Sequence, residues 1–239
     1  MEVTPYHSKE PKKIQVRNMF NAVAKRYDFL NHFLSLGIDK IWRRKTIREI
    51  EKLKPGRILD IATGTADLAI AASQLHPQSI TGIDISDNML DIGRIKIEKQ
   101  GLQQMITLMS GDCENLQFNN ASFDAVMVAF GVRNFQNLDA GIREMKRVLS
   151  DQGKVYILEF SQPEKFPIKQ FYHLYSRYML PVLGRIISGD AAAYTYLPES
   201  VKHFPSGKAF ASVLEKGGFK QVEIKPMTFG IVTLYIASA

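Results

Sequence analysis

The stretch Arg57-Ile58-Leu59-Asp60-Ile61-Ala62-Thr63-Gly64-Thr65-Ala66-Asp67-Leu68-Ala69 decides the fold. A β-branched and aliphatic run over 58–61 ends in small residues around Gly64 and passes directly into a helical pattern over 67–75. A strand, a tight turn and a helix start suit a nucleotide-like ligand. The turn lets backbone approach closely, and the helix N-terminus offers free N–H groups. A second apolar run over 79–83 ends in Asp84, twenty residues after Gly64, where a dinucleotide-type fold places an acid for a ribose diol. A plain strand–helix unit with a capping Asp reads the same way at this level.

The turn discriminates between cofactors. Nicotinamide and flavin sites prefer three glycines, because a pyrophosphate must sit on the turn. Here Ala62 and Ala66 flank Gly64, and Asp67 takes the third glycine position. S-adenosylmethionine has no phosphate and tolerates a looser turn. Asp84 then takes the ribose hydroxyls, Asp60 faces the methionine amino group through its charge, and Gly64 and Thr65 admit the methionine backbone.

Working outward, the pattern predicts helices over 14–25 and 39–54, then strand 57–62, helix 66–75, strand 79–84, helix 86–100 and strand 105–109. Strand 123–129, helix 138–149 and strand 154–160 continue the alternation, which implies a parallel sheet with right-handed crossovers. Residues 163–205 hold five prolines and many aromatics and read as a mostly helical insertion. A helix over 206–217 and two strands, 219–225 and 229–237, close the chain, the strands pairing as a hairpin with one joining the sheet antiparallel. The expected organisation is a helical cap (1–54), an α/β cofactor core (55–161), a helical lid (162–205) and a C-terminal part of the sheet (206–239), within one domain.

The 239 residues suffice for one α/β domain, and 45% hydrophobic content is ordinary for a globular protein. One cysteine excludes a disulfide framework and fits a reducing compartment. The polar start, with Pro5 and Pro11, does not read as a signal peptide, and no apolar run is long enough to span a bilayer. A net charge of +7 suits RNA, anionic lipid or an acidic ligand, and equally a solvated surface. No Cys/His spacing suggests metal.

Ser110-Gly111-Asp112-Cys113 follows the third strand. Asp112 is placed to accept from the adenine amine, and the Cys113 N–H to bind a ring nitrogen; a turn-forming Gly-Asp is the simpler alternative. Phe130-Gly131-Val132-Arg133-Asn134 follows a nearly all-apolar strand, at the carboxyl edge where ligands bind in such sheets.

The chain resembles the ubiquinone/menaquinone biosynthesis C-methyltransferases. The likeness rests on Met19-Phe20-Asn21-Ala22-Val23-Ala24-Lys25-Arg26-Tyr27-Asp28 with Asn31, Ser35, Gly37 and Trp42, on Phe130 to Asn134, on Leu158-Glu159-Phe160-Ser161, and on Asp190, Ala193-Tyr194, Tyr196-Leu197, Ser200 and Pro205. Ala62-Thr63 and Ala66 replace residues that are often glycine in the family, Asp39 stands where histidine is usual, and Ser150-Asp151-Gln152 replaces Lys-Pro-Gly.

The resemblance implies the class I methyltransferase fold, with a mostly parallel seven-stranded sheet. It also implies methyl transfer from S-adenosylmethionine to a ring carbon of a polyprenylated hydroquinone, either demethylmenaquinol or a ubiquinone precursor. An aromatic carbon is a poor nucleophile until a neighbouring hydroxyl loses its proton. Arg133 is expected to stabilise the resulting oxyanion, being too basic to accept the proton itself. Asn134 orients a water for that proton. Tyr27, His173, Tyr194 and Tyr196 line the quinol pocket, with core packing as the alternative for each. The apolar, aromatic and basic insertion suits a polyprenyl tail and peripheral, reversible contact with the cytoplasmic face of a membrane. Homodimerisation stays open. Rival readings are an RNA or soluble small-molecule methyltransferase, for which no separate basic module is seen, and a non-catalytic subunit of a quinone-synthesis assembly.

Overall fold

The computed structural model describes residues 3–6, 8–174 and 191–239. Strand β1 (Arg57–Ile61) buries four successive residues, so both of its faces are covered, as a central parallel strand requires. It pairs in parallel with β2 (Ser79–Asp84) on one side and β4 (Phe123–Ala129) on the other, with Asp60 level with Gly82 and Met127. β3 (Ile106–Ser110) extends the sheet beyond β2, and β5 (Leu149–Phe160) lies beyond β4. β6 (Lys220–Met227) and β7 (Val232–Ser238) form an antiparallel hairpin, and β7 inserts between β5 and β6 to give the order β3-β2-β1-β4-β5-β7-β6.

Helix α1 (Lys12–Leu34) is much longer than the stretch expected over 14–25, and α2 (Ile38–Glu51) follows after a three-residue turn. The α1 residues Val16, Met19, Val23 and Leu30 are buried, and their spacing continues a single helical stripe past Lys25. α3 (Asp67–Ala72) ends in a 3-10 turn, Ser73–Leu75. α4 (Asp87–Lys99) is capped by Ser86, whose side chain accepts from the Met89 N–H, and α5 (Leu138–Val148) by Asn137, which accepts from the Ala140 N–H. β5 starts at Leu149, directly after α5, five residues earlier than the sequence pattern suggests. α6 (Ile168–Leu174), α7 (Ala191–His203) and α8 (Lys208–Lys216) complete the described helices.

Each face of the sheet carries its own apolar core. One gathers Val126, Val128, Ile142, Met145 and Phe210, and the other Trp42, Ile47, Ile58, Ala69 and Tyr156. Burial of each large side chain contributes about 1.5–3 kcal/mol. α1 and α7 form a further layer: Leu30 packs with Leu34, Ala193 and Leu197, while Val16 and Met19 pack with Tyr196. Half of the pattern in 163–205 expected to rest on lipid falls on 175–190, outside the described residues.

Candidate active site

The carboxyl ends of β1, β2 and β4 meet at the reversal of strand order, and three connected pockets open there. The first is lined by Gly64, Asp84, Asp112, Cys113 and Asn134, and is roofed by Lys13, Val16 and Phe20 of α1. The second is small and polar, lined by Asp60, Thr63, Gly64, Thr65, Asp67 and Arg43. The third is an apolar cavity of about 320 Å³ between α1, α2, α7 and the sheet. Tyr27 and Phe130 line all three.

The turn after β1 is left-handed at Ala62 (φ 52°), Gly64 (φ 56°) and Ala66 (φ 65°). The two alanines that depart from the family pattern therefore sit where glycine is unstrained, at roughly 1 kcal/mol each. Ala66 is fully buried, facing away from the pockets. Ala62 is not turned away: it lines both polar pockets. Gly131 makes room for it, since a Cβ there would stand 2.6 Å from the Ala62 Cβ.

Asp84 accepts from the Gly64 N–H and the Ser86 N–H, each at 2.8 Å. Burial drives its carboxyl up to about 6, against the pull of those backbone donors. Asp60 accepts from the Thr63 hydroxyl at 2.6 Å, and burial, reinforced by the Asp84 charge, pushes it up to about 7. Neither carboxylate forms an ion pair among the described residues. A buried acid, Asp60, and a half-buried one, Asp84, without a paired cation among the described residues and set either side of a left-handed Gly64, fit a cationic ligand rich in hydroxyl and amine donors. S-adenosylmethionine is such a ligand. Asp60 differs from the expectation of a full charge, because in the free protein it is partly protonated near neutral pH.

Asp112 already has partners. Its carboxylate accepts from Lys13 Nζ at 2.6 Å and from the Glu114 N–H at 2.9 Å, and Lys13 also reaches Glu114 at 3.0 Å. Lys12 donates to the carbonyls of Arg133 and Phe135. These contacts hold the start of α1 across the adenine end. Cys113 lines the same pocket, and burial raises its thiol well above the ordinary range, so the side chain stays a neutral thiol. Thr65 donates its buried hydroxyl to Asp28 at 2.5 Å, and Lys96 bridges Asp28 and Asp67, so Thr65 anchors α1.

Arg133 and Asn134 share one 3-10 turn (Val132–Asn134) but face different chambers. Asn134 lines the first pocket, and its side-chain oxygen accepts from the Tyr196 hydroxyl at 3.1 Å. That bond occupies the group expected to orient a water. Arg133 lines the apolar cavity, with its guanidinium 5.4 Å from the Phe160 ring centre. Its Nη1 donates to Glu159 at 2.8 Å and to the Phe130 carbonyl. Glu159 also accepts from the Arg133 and Phe160 N–H groups. The buried Arg133 Nε has no hydrogen-bond partner among the described residues, which is a desolvation cost.

Residue-by-residue reasoning assigned no role to Glu159 or Arg43. The signal for Glu159 was a single acid at the end of an apolar strand. Arg43 is 11% exposed and lies between Asp39 and Asp67, on the boundary of the apolar cavity and the small polar pocket. Asp39, in the position where the family favours histidine, is desolvated, but donors from Ser35, Arg43 and His32 outweigh that and hold its carboxyl below the usual range. The side chains of His173 and Tyr194 lie outside the described part of the structure.

A seven-stranded sheet of this order, with one antiparallel strand and acids at the ends of β1 and β2, defines a class I S-adenosylmethionine-dependent methyltransferase. An S-adenosylmethionine-dependent methyltransferase from Thermotoga maritima shares the fold, with a TM-score of 0.64 at 16% identity, covering 93% of this chain and 98% of that one. The chain matches the model of the ubiE/COQ5 methyltransferase family over residues 7–239, and it belongs to that family. It is 46% identical over 238 residues to the demethylmenaquinone methyltransferase of Bacteroides fragilis, covering 99% of this chain and 97% of that protein. It is 42% identical over 223 residues to the ubiquinone/menaquinone biosynthesis C-methyltransferase UbiE of Geotalea daltonii, covering 92% and 94%.

Proposed function

We propose that this enzyme methylates a ring carbon of demethylmenaquinol, giving menaquinol. The observation that carries the reading is the contact between the cofactor pockets and the apolar cavity at Tyr27 and Phe130, with Arg133 as a buried cation in the cavity wall. Such a chamber suits a flat apolar ring bearing one ionisable oxygen. The relatives named for demethylmenaquinone support the naphthoquinol over the benzoquinol of the ubiquinone pathway.

In this reading Asp84 holds the ribose hydroxyls, Asp60 the methionine amine and Arg43 the methionine carboxylate, exchanging part of its pairing with Asp67. Gly64 gives close backbone approach, with Thr65 keeping the turn against α1. Asp112 and the Cys113 N–H take the adenine edge once Lys13 yields. S-adenosylmethionine supplies a methyl group on a sulfonium whose departure leaves a neutral thioether.

The protein's share is to bind the ring and stabilise its charge. The phenol proton leaves to water, and Arg133 in the cavity wall stabilises the oxyanion through its charge. Glu159 keeps the guanidinium in place and offsets part of its charge before substrate enters. Burial raises the Tyr27 hydroxyl pKa, so it stays a neutral donor beside the ring. Tyr196, fixed by Asn134, closes the side of the chamber. Once the ring carbon carries the methyl group, its proton is lost to water to restore the aromatic phenolate, and that oxygen takes a proton back from water, so one proton is released overall. The tail of the substrate implies peripheral contact with the cytoplasmic face of a membrane.

The test is transfer of labelled methyl groups to chemically reduced demethylmenaquinone in detergent, with a polyprenyl benzoquinol and the oxidised quinone in parallel. Label in menaquinol alone is expected. Label from the oxidised quinone would refute activation through a phenolate, and tight cofactor binding without turnover would favour a non-catalytic role.

A further inference from the structure

Two turns distant in sequence stand at the mouth of the apolar cavity. Leu36, between α1 and α2, is 85% exposed with φ 52°. Phe229, between β6 and β7, is 76% exposed with φ 57°. Leu36 and Thr228 both line the cavity, and the Trp42 indole N–H donates to the Thr228 hydroxyl at 2.7 Å, which ties the second turn to the helix that follows the first.

Each position carries two disadvantages at once. A left-handed backbone disfavours any residue with a bulky side chain, and glycine or asparagine suits it better. A large apolar side chain in water contributes no burial. At most exposed left-handed turns a small polar residue avoids both. Here both turns keep a large hydrophobe with nothing in the described structure covering it, at the same opening. Phe171, 67% exposed beside the cavity-lining Tyr172, extends the rim along α6.

The surroundings identify what covers this rim. The outward face of α2 presents Lys40, Arg44 and Arg48, all exposed and without an ion pair among the described residues. The net charge of +7 opposes a second copy of the chain as the occupant and favours an anionic surface. The cavity, at about 320 Å³, is at the lower end of sites for drug-sized ligands, enough for a bicyclic ring and the start of a tail. A longer polyprenyl tail must leave through the mouth, a point that rests on the proposed substrate.

We propose that the rim formed by Leu36, Phe229 and Phe171 inserts into the interfacial region of an anionic phospholipid bilayer. The quinol tail then passes from the cavity into the acyl layer without crossing water. No helix among the described residues is long and apolar enough to cross a membrane, so the contact is peripheral.

The test uses co-sedimentation of the full chain with vesicles of phosphatidylcholine mixed with phosphatidylglycerol, and with phosphatidylcholine alone. Binding to the mixed vesicles is expected to be stronger, and Lys40→Gln and Arg44→Gln to weaken it by about fivefold per site. Leu36→Asn and Phe229→Asn are expected to lower vesicle binding tenfold or more together while raising the melting temperature, because asparagine suits the left-handed backbone. Phe229→Asn keeps full turnover on a detergent-dispersed quinol with one isoprene unit and loses turnover on a long-chain quinol embedded in vesicles. Unchanged vesicle binding in the asparagine variants overturns the proposal, as does a lipid-free dimer that they convert to monomer. Wild-type protein that binds vesicles but methylates neither quinol refutes the substrate reading and leaves the surface standing.

Discussion

Cofactor affinity should fall steeply as pH drops from 8 to 6, because two desolvated carboxylates, Asp60 and Asp84, must both be charged to receive the ligand. Asp84 is pushed up to about 6 and Asp60 to about 7 in the free protein, by burial in each case. At pH 6 about half the molecules have Asp84 ionised and about a tenth have Asp60 ionised, so about one in twenty carries both charges, against about nine in ten at pH 8. Apparent affinity scales with that fraction, so it should weaken about twentyfold over this interval. S-adenosylhomocysteine is the suitable ligand, since its amine stays charged throughout. Calorimetric titration in buffers of different ionisation enthalpy should also show release of one to two protons, roughly, on binding at pH 6. The stability of the free protein moves the opposite way. Carboxyls whose folded pKa is raised lower stability progressively as pH rises from about 4, the unfolded value, to about 6 for Asp84 and about 7 for Asp60, so urea midpoints without ligand should fall between pH 4 and 7. An affinity that changes less than twofold between pH 6 and 8, with no proton release, would refute the assignment of these two acids to the ligand.

Asp84→Ala should weaken S-adenosylhomocysteine binding tenfold or more, while Arg133→Ala should lower turnover and leave that affinity within about threefold; equal losses would contradict the division of roles. Glu159→Ala leaves the Arg133 cation, whose side chain is 7% exposed, without its carboxylate, so a loss of about 3–5 kcal/mol in denaturant unfolding is expected. Lys13→Ala should speed S-adenosylhomocysteine release in stopped-flow chase experiments, yet change stability by less than about 1 kcal/mol because its ion pairs are partly exposed. Gly131→Ala sets a methyl 2.6 Å from the Ala62 Cβ and should cost about 1–3 kcal/mol by thermal melts, with Ala62→Gly restoring much of it.

Local signals carried the core of the fold. The apolar run of β1, the small-residue turn and the acid at Asp84 lie within one strand–helix–strand unit, where periodicity and spacing act over a few residues. The terminal hairpin was legible for the same reason. The full length of α1 was less so: its polar residue Asn31 interrupts the apparent stripe near Leu30, and only the cavity it lines explains it.

What the sequence by itself determined is the order of strands and helices, the identity of the acids at the strand ends and, through resemblance, the family. Those follow from short-range periodicity and from side-chain chemistry. Tertiary structure alone decided that Arg133 and Asn134, neighbours in the chain, face separate chambers, because a 3-10 turn rotates successive side chains by about a third of a turn. It decided that Glu159 holds Arg133, through the parallel pairing of β4 with β5. It also decided that Leu36 and Thr228 line one cavity, where residues 186 positions apart, Trp42 and Thr228, meet in a hydrogen bond. Contacts of that range depend on how the sheet closes around its core, and no local pattern encodes them.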